Sequence, residues 1–301
     1  MKERLARILL GMLEAVPLPL MAFILEGLML LIWAVDRKHR RIARINLRIA
    51  FPEMAEGEAQ RIIRRAYRRM GTSAAEFIHI PRMDDRYIRE HFRIEGLEHL
   101  RESMEREGRP AMVMTGHFGN WELLSHVYGA VVAPAAFIVK PLRSPILDAI
   151  VTERREWAGN TVIRQTESAK VVMKLLRRKV LVGILIDQNV DRHKGVLVDF
   201  FGRKTYTTDG IARLALAMRA AVHPGFIFGD PTGKFHHLLR FGPAIPMDYG
   251  APREEEVPRI TRRCNEELEK AIREAPGQWI WFQPRWKSRH KDEPDVYRED
   301  R

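Results

Sequence analysis

Residues Ile8 to Val35 (ILLGMLEAVPLPLMAFILEGLMLLIWAV) form an almost wholly apolar run, longer than the ~20 residues a membrane-crossing helix needs. The run is too long for the apolar core of a signal peptide, and no small-residue cleavage site with a polar sequence after it follows; it leads straight into a basic stretch, so it is expected to be retained. Glu14 and Glu26 each carry an insertion cost, and Pro17 and Pro19 would kink a helix. The segment therefore reads as a spanning helix, as a bent hairpin or in-plane anchor, or as a buried amphipathic core helix. Lys2, Arg4 and Arg7 precede it, while Arg37, Lys38, Arg40, Arg41, Arg44 and Arg48 follow it closely. That excess of basic residues after the run places the bulk of the chain on the cytoplasmic side. Residues 1–35 are accordingly expected to be a membrane anchor and 36–301 the working domain, with 36–91 a basic and amphipathic helical lead-in.

Composition limits what the working domain can be. With 301 residues, 46% hydrophobic and 30% charged, the chain has material for a sizeable core. Its single cysteine, Cys264, excludes an intramolecular disulfide framework, a cysteine zinc cluster and an iron–sulfur site. A net charge of +12 points to anionic partners: nucleic acid, acidic lipid or an acidic carrier protein. Nucleic acid fits worst, since no recognised binding motif is present and the basic residues are spread along a chain with an apolar anchor.

Asp36 to Ala50 reads as a basic helix at the lipid surface, ended by Phe51-Pro52. Glu58 to Ile80 places Ile62, Ile63, Ala66, Tyr67, Met70, Ala74, Phe77 and Ile78 on one helical stripe. Beyond Phe92, short apolar runs (Ala111 to Met114, Ala135 to Val139, Val180 to Ile186, Val222 to Phe228) alternate with helical stretches. This alternation predicts an α/β fold with a mostly parallel central sheet flanked by helices on both faces. Phe235 to Phe241, after the turn Asp230-Pro-Thr-Gly, is expected to return antiparallel, and Arg253 to Glu274 to form a last helix.

No Gly-x-Ser-x-Gly elbow, phosphate loop, dinucleotide fingerprint or His-Glu-x-x-His helix is found. Thr115-Gly-His-Phe-Gly-Asn-Trp-Glu-Leu-Leu124 stands where a buried strand ends and a helix begins, the edge at which open α/β sheets place their sites. If Asn120 caps that helix, Glu122 lies in its first turn and can reach back to His117. The glutamate would then fix one imidazole nitrogen as a donor and leave the other to take a proton from a hydroxyl. The helix end would disfavour imidazolium in the resting state, and Gly116 and Gly119 would let a substrate approach the backbone. The alternative is that His117 merely ends a strand and Glu122 decorates a helix.

The order and spacing of further segments carry a resemblance. Arg44-Ile-Asn-Leu-Arg-Ile-Ala-Phe-Pro-Glu53, Ile94-Glu-Gly-Leu-Glu-His99, His117 with Glu122, Ile186-Asp-Gln188, Phe200-Phe-Gly202, Thr207-Thr-Asp-Gly210 and Trp281-Phe-Gln-Pro-Arg-Trp-Lys-Ser-Arg289 occur in sequence after the apolar anchor. Over nearly its whole length the chain resembles the bacterial lipid A biosynthesis late acyltransferases, the lauroyl and myristoyl transferases of the lysophospholipid acyltransferase superfamily. The resemblance implies transfer of a fatty acyl group from acyl carrier protein to a hydroxyl of a membrane glycolipid. It implies no metal, cofactor or covalent intermediate, and action at the cytoplasmic face of the inner membrane. Family members usually end in His-Arg-Arg-Trp or similar, whereas Gln283-Pro284 precede Arg285-Trp286 here, a departure that bears on the acceptor more than on the chemistry.

Lys140, Arg143, Arg154 and Arg155 follow the strand ending at Val139 and suit an acceptor with phosphates and a phosphopantetheine-bearing donor. Arg155 best matches the arginine that the family places near the dyad; otherwise it belongs to a solvated helix face. Asp187 and Gln188 end another strand and would orient the donor or an arginine, or cap a loop; Asp191 to Lys194 reads as a mobile loop over the same edge. Asn120 and Arg285 complete the expected substrate-binding set. Trp279, Trp281, Phe282 and Trp286, interleaved with Arg285, Lys287 and Arg289, suit a headgroup interface or alternate packing into the core. The one pair of neighbouring histidines, His236-His237, points to opposite faces of a strand and offers no metal site. The rival readings are an acyltransferase for another glycolipid, such as phosphatidylinositol mannoside, or for a lysophospholipid, using acyl-CoA, and a lipid thioesterase or hydrolase using water as acceptor. Expected partners are acyl carrier protein, the glycolipid and an anionic membrane surface; the sequence leaves the oligomeric state open.

Overall fold

The computed structural model describes residues 2–229, 234–287 and 295–298. Nine strands are found among them: β1 (Phe92–Glu95), β2 (Ala111–Thr115), β3 (Ala136–Val139), β4 (Thr161–Arg164), β5 (Val182–Leu185), β6 (Gly195–Phe200), β7 (Arg203–Thr208), β8 (Ala221–Gly229) and β9 (His237–Phe241). Seven form one sheet in the order β1-β9-β8-β2-β5-β3-β4, and β6 and β7 form a separate hairpin. Within the large sheet every pairing is parallel except β8 with β9, as the sequence predicts for the returning strand.

The helices are α1 (Lys2–Ala15), α2 (Leu18–Val35), α3 (Arg37–Ala50), α4 (Glu56–Ile78), α5 (Asp85–His91), α6 (Leu97–Arg101), α7 (Trp121–Val131), α8 (Pro145–Arg155), α9 (Ser168–Arg177), α10 (Gly210–Met218) and α11 (Arg253–Glu274). All five residues of β2 are buried, because helices cover both of its faces. Met112 and Met114 pack into one core with residues of α3, α4, α9, α10 and α11. Ala111 and Val113 face a second core with residues of α5, α6 and α7. The period of two along one strand thus feeds two hydrophobic layers.

Three strand features escape the sequence pattern. β1 and β4 are four-residue strands at the two sheet edges, each with only one buried residue. The loop expected from Asp191 ends at Gly195, where β6 begins and pairs antiparallel with β7. Phe201 and Gly202 turn this hairpin with φ of 52° and 70°, both in the left-handed region that a tight two-residue connection requires.

The apolar N-terminal run is broken where its prolines predict: α1 ends at Ala15, Pro17 is the N-cap of α2, and Pro19 lies in its first turn. α2 is long and apolar enough to cross a membrane by length and composition, and 17% of it is buried. Its inner face carries Met21, Ala22 and Glu26. Glu26 is paired rather than lipid-exposed, accepting from Thr72 at 2.7 Å, Arg68 at 3.1 Å and Lys234 at 2.7 Å. Leu20, Phe23, Ile24, Leu28, Leu31 and Val35 remain exposed on the other side. α4 crosses α2 at Gly71, where an added Cβ would lie 2.6 Å from backbone atoms of Leu25 and Glu26. Backbone cannot swing aside as a side-chain tip can, so Gly71→Val is expected to destabilise the chain by about 1–3 kcal/mol in detergent denaturation, the usual cost of overpacking.

α3 packs on the protein through its apolar side. Its apolar side, Ala43, Leu47 and Ala50, lies in the protein core, and buried Asn46 donates to the carbonyls of Trp281 at 2.7 Å and Gln283 at 2.6 Å. The apolar face is therefore used within the fold, and the helix presents its basic side outward.

Candidate active site

The segment after β2 is built by close backbone packing. Gly119 has φ of 60°, and a Cβ there would lie 1.8 Å from the Ile227 carbonyl oxygen, so only glycine fits. A Cβ on Gly116 would press on Leu268 and Asp187 at 3.0 and 3.2 Å. These glycines make room for strand β8, α11 and Asp187. Gly119 N donates to Gln278 O at 2.8 Å, and Ile280 N donates to His117 O at 3.1 Å. The tryptophan-rich segment thereby fastens the loop that bears His117.

His117 meets Asp187, at the end of the neighbouring strand β5. The ring Nδ1 is 2.8 Å from Asp187 Oδ1, and the His117 backbone N–H donates to Oδ2 at 2.8 Å. Trp279 Nε1 donates to the same Oδ2 at 2.9 Å. Asp187 is 2% exposed, so a carboxylate bonded to one imidazole, one backbone N–H and one indole is held almost dry. As an ionised acceptor it fixes a proton on Nδ1 and leaves Nε2 as the basic nitrogen. Nε2 stands 3.5 Å from the amide nitrogen of exposed Gln188, too far for a strong hydrogen bond. The ring edge of Trp121 packs against the imidazole, with centroids 4.9 Å apart.

The partner of Nδ1 is thus Asp187, where the sequence reading placed Glu122. Glu122 does fall in the first turn of α7, but both its oxygens are gripped by Arg155, Nε to Oε2 at 2.9 Å and an η nitrogen to Oε1 at 2.6 Å. Trp121 Nε1 adds a donor at 3.2 Å. A planar fork matches a carboxylate better than an imidazole edge can, which explains the preference.

The electrostatics follow this pairing. Burial pushes the His117 imidazole down, but the charge and hydrogen bond of Asp187, with a smaller contribution from Glu122, hold it above its ordinary value. The expectation that a helix end keeps imidazolium disfavoured is therefore corrected: the adjacent carboxylates dominate. Burial would raise the Asp187 carboxyl, yet His117 and Trp279 hold it below the usual range. Arg155 loses by burial and gains more from Glu122, ending above its ordinary value.

The other expected site residues divide. Lys140 and Arg143 are exposed in the loop that leaves the carboxyl end of β3, beside β5 in the sheet. Asn120 occupies the N-cap position of α7 without a side-chain cap; it is buried, and its amide donates to Glu76 at 2.9 Å. Arg154 is buried and paired with Glu14 of α1. Neither is available to a substrate in this arrangement. Arg285 is likewise corrected from an acceptor contact to an interior cation. It is 0% exposed, donates to Thr207 Oγ1 at 2.6 Å and Tyr206 O at 3.1 Å, and lies over the Phe200 ring at 4.8 Å. Burial pulls its guanidinium down to about 10. Trp279, Trp281, Phe282 and Trp286 are buried in the same core, the packing alternative of the two read from sequence. Ser288 and Arg289 lie outside the described residues, as does the turn at 230–233. Arg285→Ala is expected to lower stability by roughly 3–5 kcal/mol, the range for breaking a buried polar cluster, with KM for acceptor little changed in the fraction that folds; thermal unfolding and kinetics on one preparation check this.

Sequence reasoning singled out Asp187 but gave it another role, and it missed the Trp279 and Trp121 contacts. The available signal was that Ile186-Asp187 ends a buried strand at the same sheet edge as His117; the adjacency of β2 and β5 supplies the rest.

The fold and this geometry define an α/β protein with a carboxylate-oriented imidazole at the carboxyl edge of its sheet. Comparison with known proteins makes it an acyltransferase. Residues 4–288 match the family model of the bacterial lipid A biosynthesis acyltransferases, and the chain belongs to that family. It is 25% identical over 267 residues to a lipid A biosynthesis acyltransferase of Haemophilus influenzae, covering 87% of this chain and 79% of the relative. It is 24% identical over 262 residues to the lipid A biosynthesis lauroyltransferase of Escherichia coli, covering 87% and 83%. A phosphatidylinositol mannoside acyltransferase of Mycolicibacterium smegmatis is 26% identical over 228 residues, covering 72% and 70%.

Proposed function

We propose that this acyltransferase moves a fatty acyl group from acyl carrier protein to a hydroxyl of a lipid A precursor at the cytoplasmic face of the inner membrane, with His117 as general base. The observation that carries the reading is the His117 ring, fixed at Nδ1 by buried Asp187 and with Nε2 3.5 Å from exposed Gln188. In this reaction Nε2 takes the proton of the acceptor hydroxyl as its oxygen attacks the thioester carbonyl. The tetrahedral intermediate collapses, the ester forms, the carbon–sulfur bond breaks, and the imidazolium returns its proton to the departing thiolate. Asp187 stabilises the transient imidazolium and prevents ring rotation. Glu122, held by Arg155, adds negative charge near the ring. No residue of the chain becomes acylated, and the steps assign no role to a metal or cofactor.

Exposed Lys140 and Arg143 lie at the edge where the phosphates of an acceptor or of phosphopantetheine would be met. The outward apolar residues of α1 and α2, with the basic side of α3 beside them in sequence, suit an anionic bilayer surface. The mannoside acyltransferase relative supports a second reading in the acceptor alone, a phosphatidylinositol mannoside; acyl-CoA is the donor proposed with it.

Mass spectrometry of lipids from cells with and without the protein tests the choice. A lipid A precursor lacking one ester-linked acyl chain is expected when the protein is absent. A change confined to a mannoside lipid would replace the first reading with the second. Purified protein that releases free fatty acid without any acceptor would make it a hydrolase.

A further inference from the structure

Three successive residues of the last turn of α8 hold two distant parts of the molecule. Glu153 accepts from Arg7 at 2.6 Å, and Arg154 donates to Glu14; both partners lie on α1. Arg155, the next residue, is the bidentate partner of Glu122. The Arg154 pair is the more buried, with its side chain 7% exposed and that of Glu14 20% exposed. A guanidinium so far out of water depends on its carboxylate, and removal of either partner strands the other.

The opposite side of α1 has a different chemistry. Leu5, Ile8, Leu9 and Met12, spaced three or four residues apart, are each more than half exposed. That stripe, with Arg7 and Glu14 turned to α8, makes α1 an amphipathic helix with an apolar outer face and an ionic inner grip.

We propose that α1 is a positioning element of the acyl-transfer site. Contact of its outer stripe with a lipid surface keeps Glu14 on Arg154, which sets the last turn of α8 and through it the Arg155–Glu122 pair beside His117. Arg154 and Arg155 are adjacent on one helix, so displacement of the first moves the second with no intervening hinge. The inference rests on the proposed function for its kinetic consequence, while the structural link is tested without any reaction.

The experiment uses the full chain with Glu14→Gln, Arg154→Gln, Arg154→Lys and the exchanged pair Glu14→Arg with Arg154→Glu. Amide hydrogen exchange over residues 150–157 is followed with and without phosphatidylglycerol–phosphatidylethanolamine vesicles. Vesicles are expected to slow exchange of this turn in the wild type but not in Glu14→Gln or Arg154→Gln, although both bind vesicles as the wild type does. On detergent-dispersed acceptor, kcat of these two variants is expected to fall about tenfold with KM unchanged, the scale of a small misplacement at a reacting centre. Arg154→Lys and the exchanged pair are expected to recover most of the loss, which a generic loss of fold would not allow. Equal slowing of exchange in wild type and Glu14→Gln overturns the proposal, as does a kcat within twofold of wild type in both single variants. A wild type that acylates no acceptor refutes the proposed function, and the exchange comparison then decides the coupling by itself.

Discussion

His117→Ala and His117→Gln are each expected to lose at least ~10²-fold in turnover, the usual worth of general-base assistance, while the chain folds as before. The ring is only partly buried, and its main polar contact is with Asp187, so its loss leaves the two cores untouched. KM for the acceptor is expected to change little, since the proposed base acts on the hydroxyl proton in the transition state rather than in binding the acceptor. Steady-state kinetics together with thermal unfolding check this. Turnover within a few-fold of wild type in either variant would remove His117 from the reaction.

Asp187→Asn is expected to act at two levels. With the wild type, only the neutral imidazole accepts a proton, and the carboxylates hold His117 above its ordinary value. The rate should therefore rise with pH through an inflection above the usual imidazole range near 6.5. Without the Asp187 charge the burial effect, which favours the neutral ring, gains ground, so the inflection moves to lower pH. Plateau turnover should still fall by ~10²–10⁴-fold, because an amide neither fixes the Nδ1–H tautomer nor balances the imidazolium. Burial also predicts a stability cost of about 1–3 kcal/mol, since the N–H groups of His117 and Trp279 lose acceptor capacity. A purely structural Asp187 would show that stability loss with no acidward shift of the inflection, and pH–rate profiles of the folded variant separate the two cases.

The elements legible in the sequence are those with one dominant pattern. β2 is a continuous apolar run and β8 a mostly apolar one because both faces are covered, and α11 shows a strong stripe; its expected limits, Arg253 to Glu274, are the observed ones. β1 and β4 were hidden because four-residue edge strands with one buried side chain carry neither a run nor a clear alternation. The apolar N-terminal run announced its break through Pro17 and Pro19, yet nothing local showed that Glu14 and Glu26 would find Arg154, Arg68 and Lys234. Those pairs join residues more than 40 positions apart.

The candidate site was legible in the same uneven way. His117 and Glu122 could be placed at a strand end and a first helical turn from the segment Thr115 to Leu124. Which carboxylate faces the ring depends on β5 lying beside β2, a long-range pairing that periodicity does not encode. Arg285 misled for a related reason: an arginine among tryptophans reads as a headgroup contact, and only the closure of Thr205, Tyr206 and Thr207 around it reveals an interior cation. Arg155 was drawn to Glu122 by the match of a planar fork to a carboxylate, a preference the sequence could suggest but not locate.

Acyl transfer by the purified full chain, followed by mass spectrometry of the acceptor, bears most directly on the proposed reaction. Wild-type protein, given acylated carrier protein and a detergent-dispersed lipid A precursor, is predicted to add the mass of one acyl ester to the acceptor and release an equal amount of carrier thiol, and His117→Ala to do neither at a measurable rate. Equal acylation by His117→Ala, or release of carrier thiol with free fatty acid and an unchanged acceptor, would contradict it.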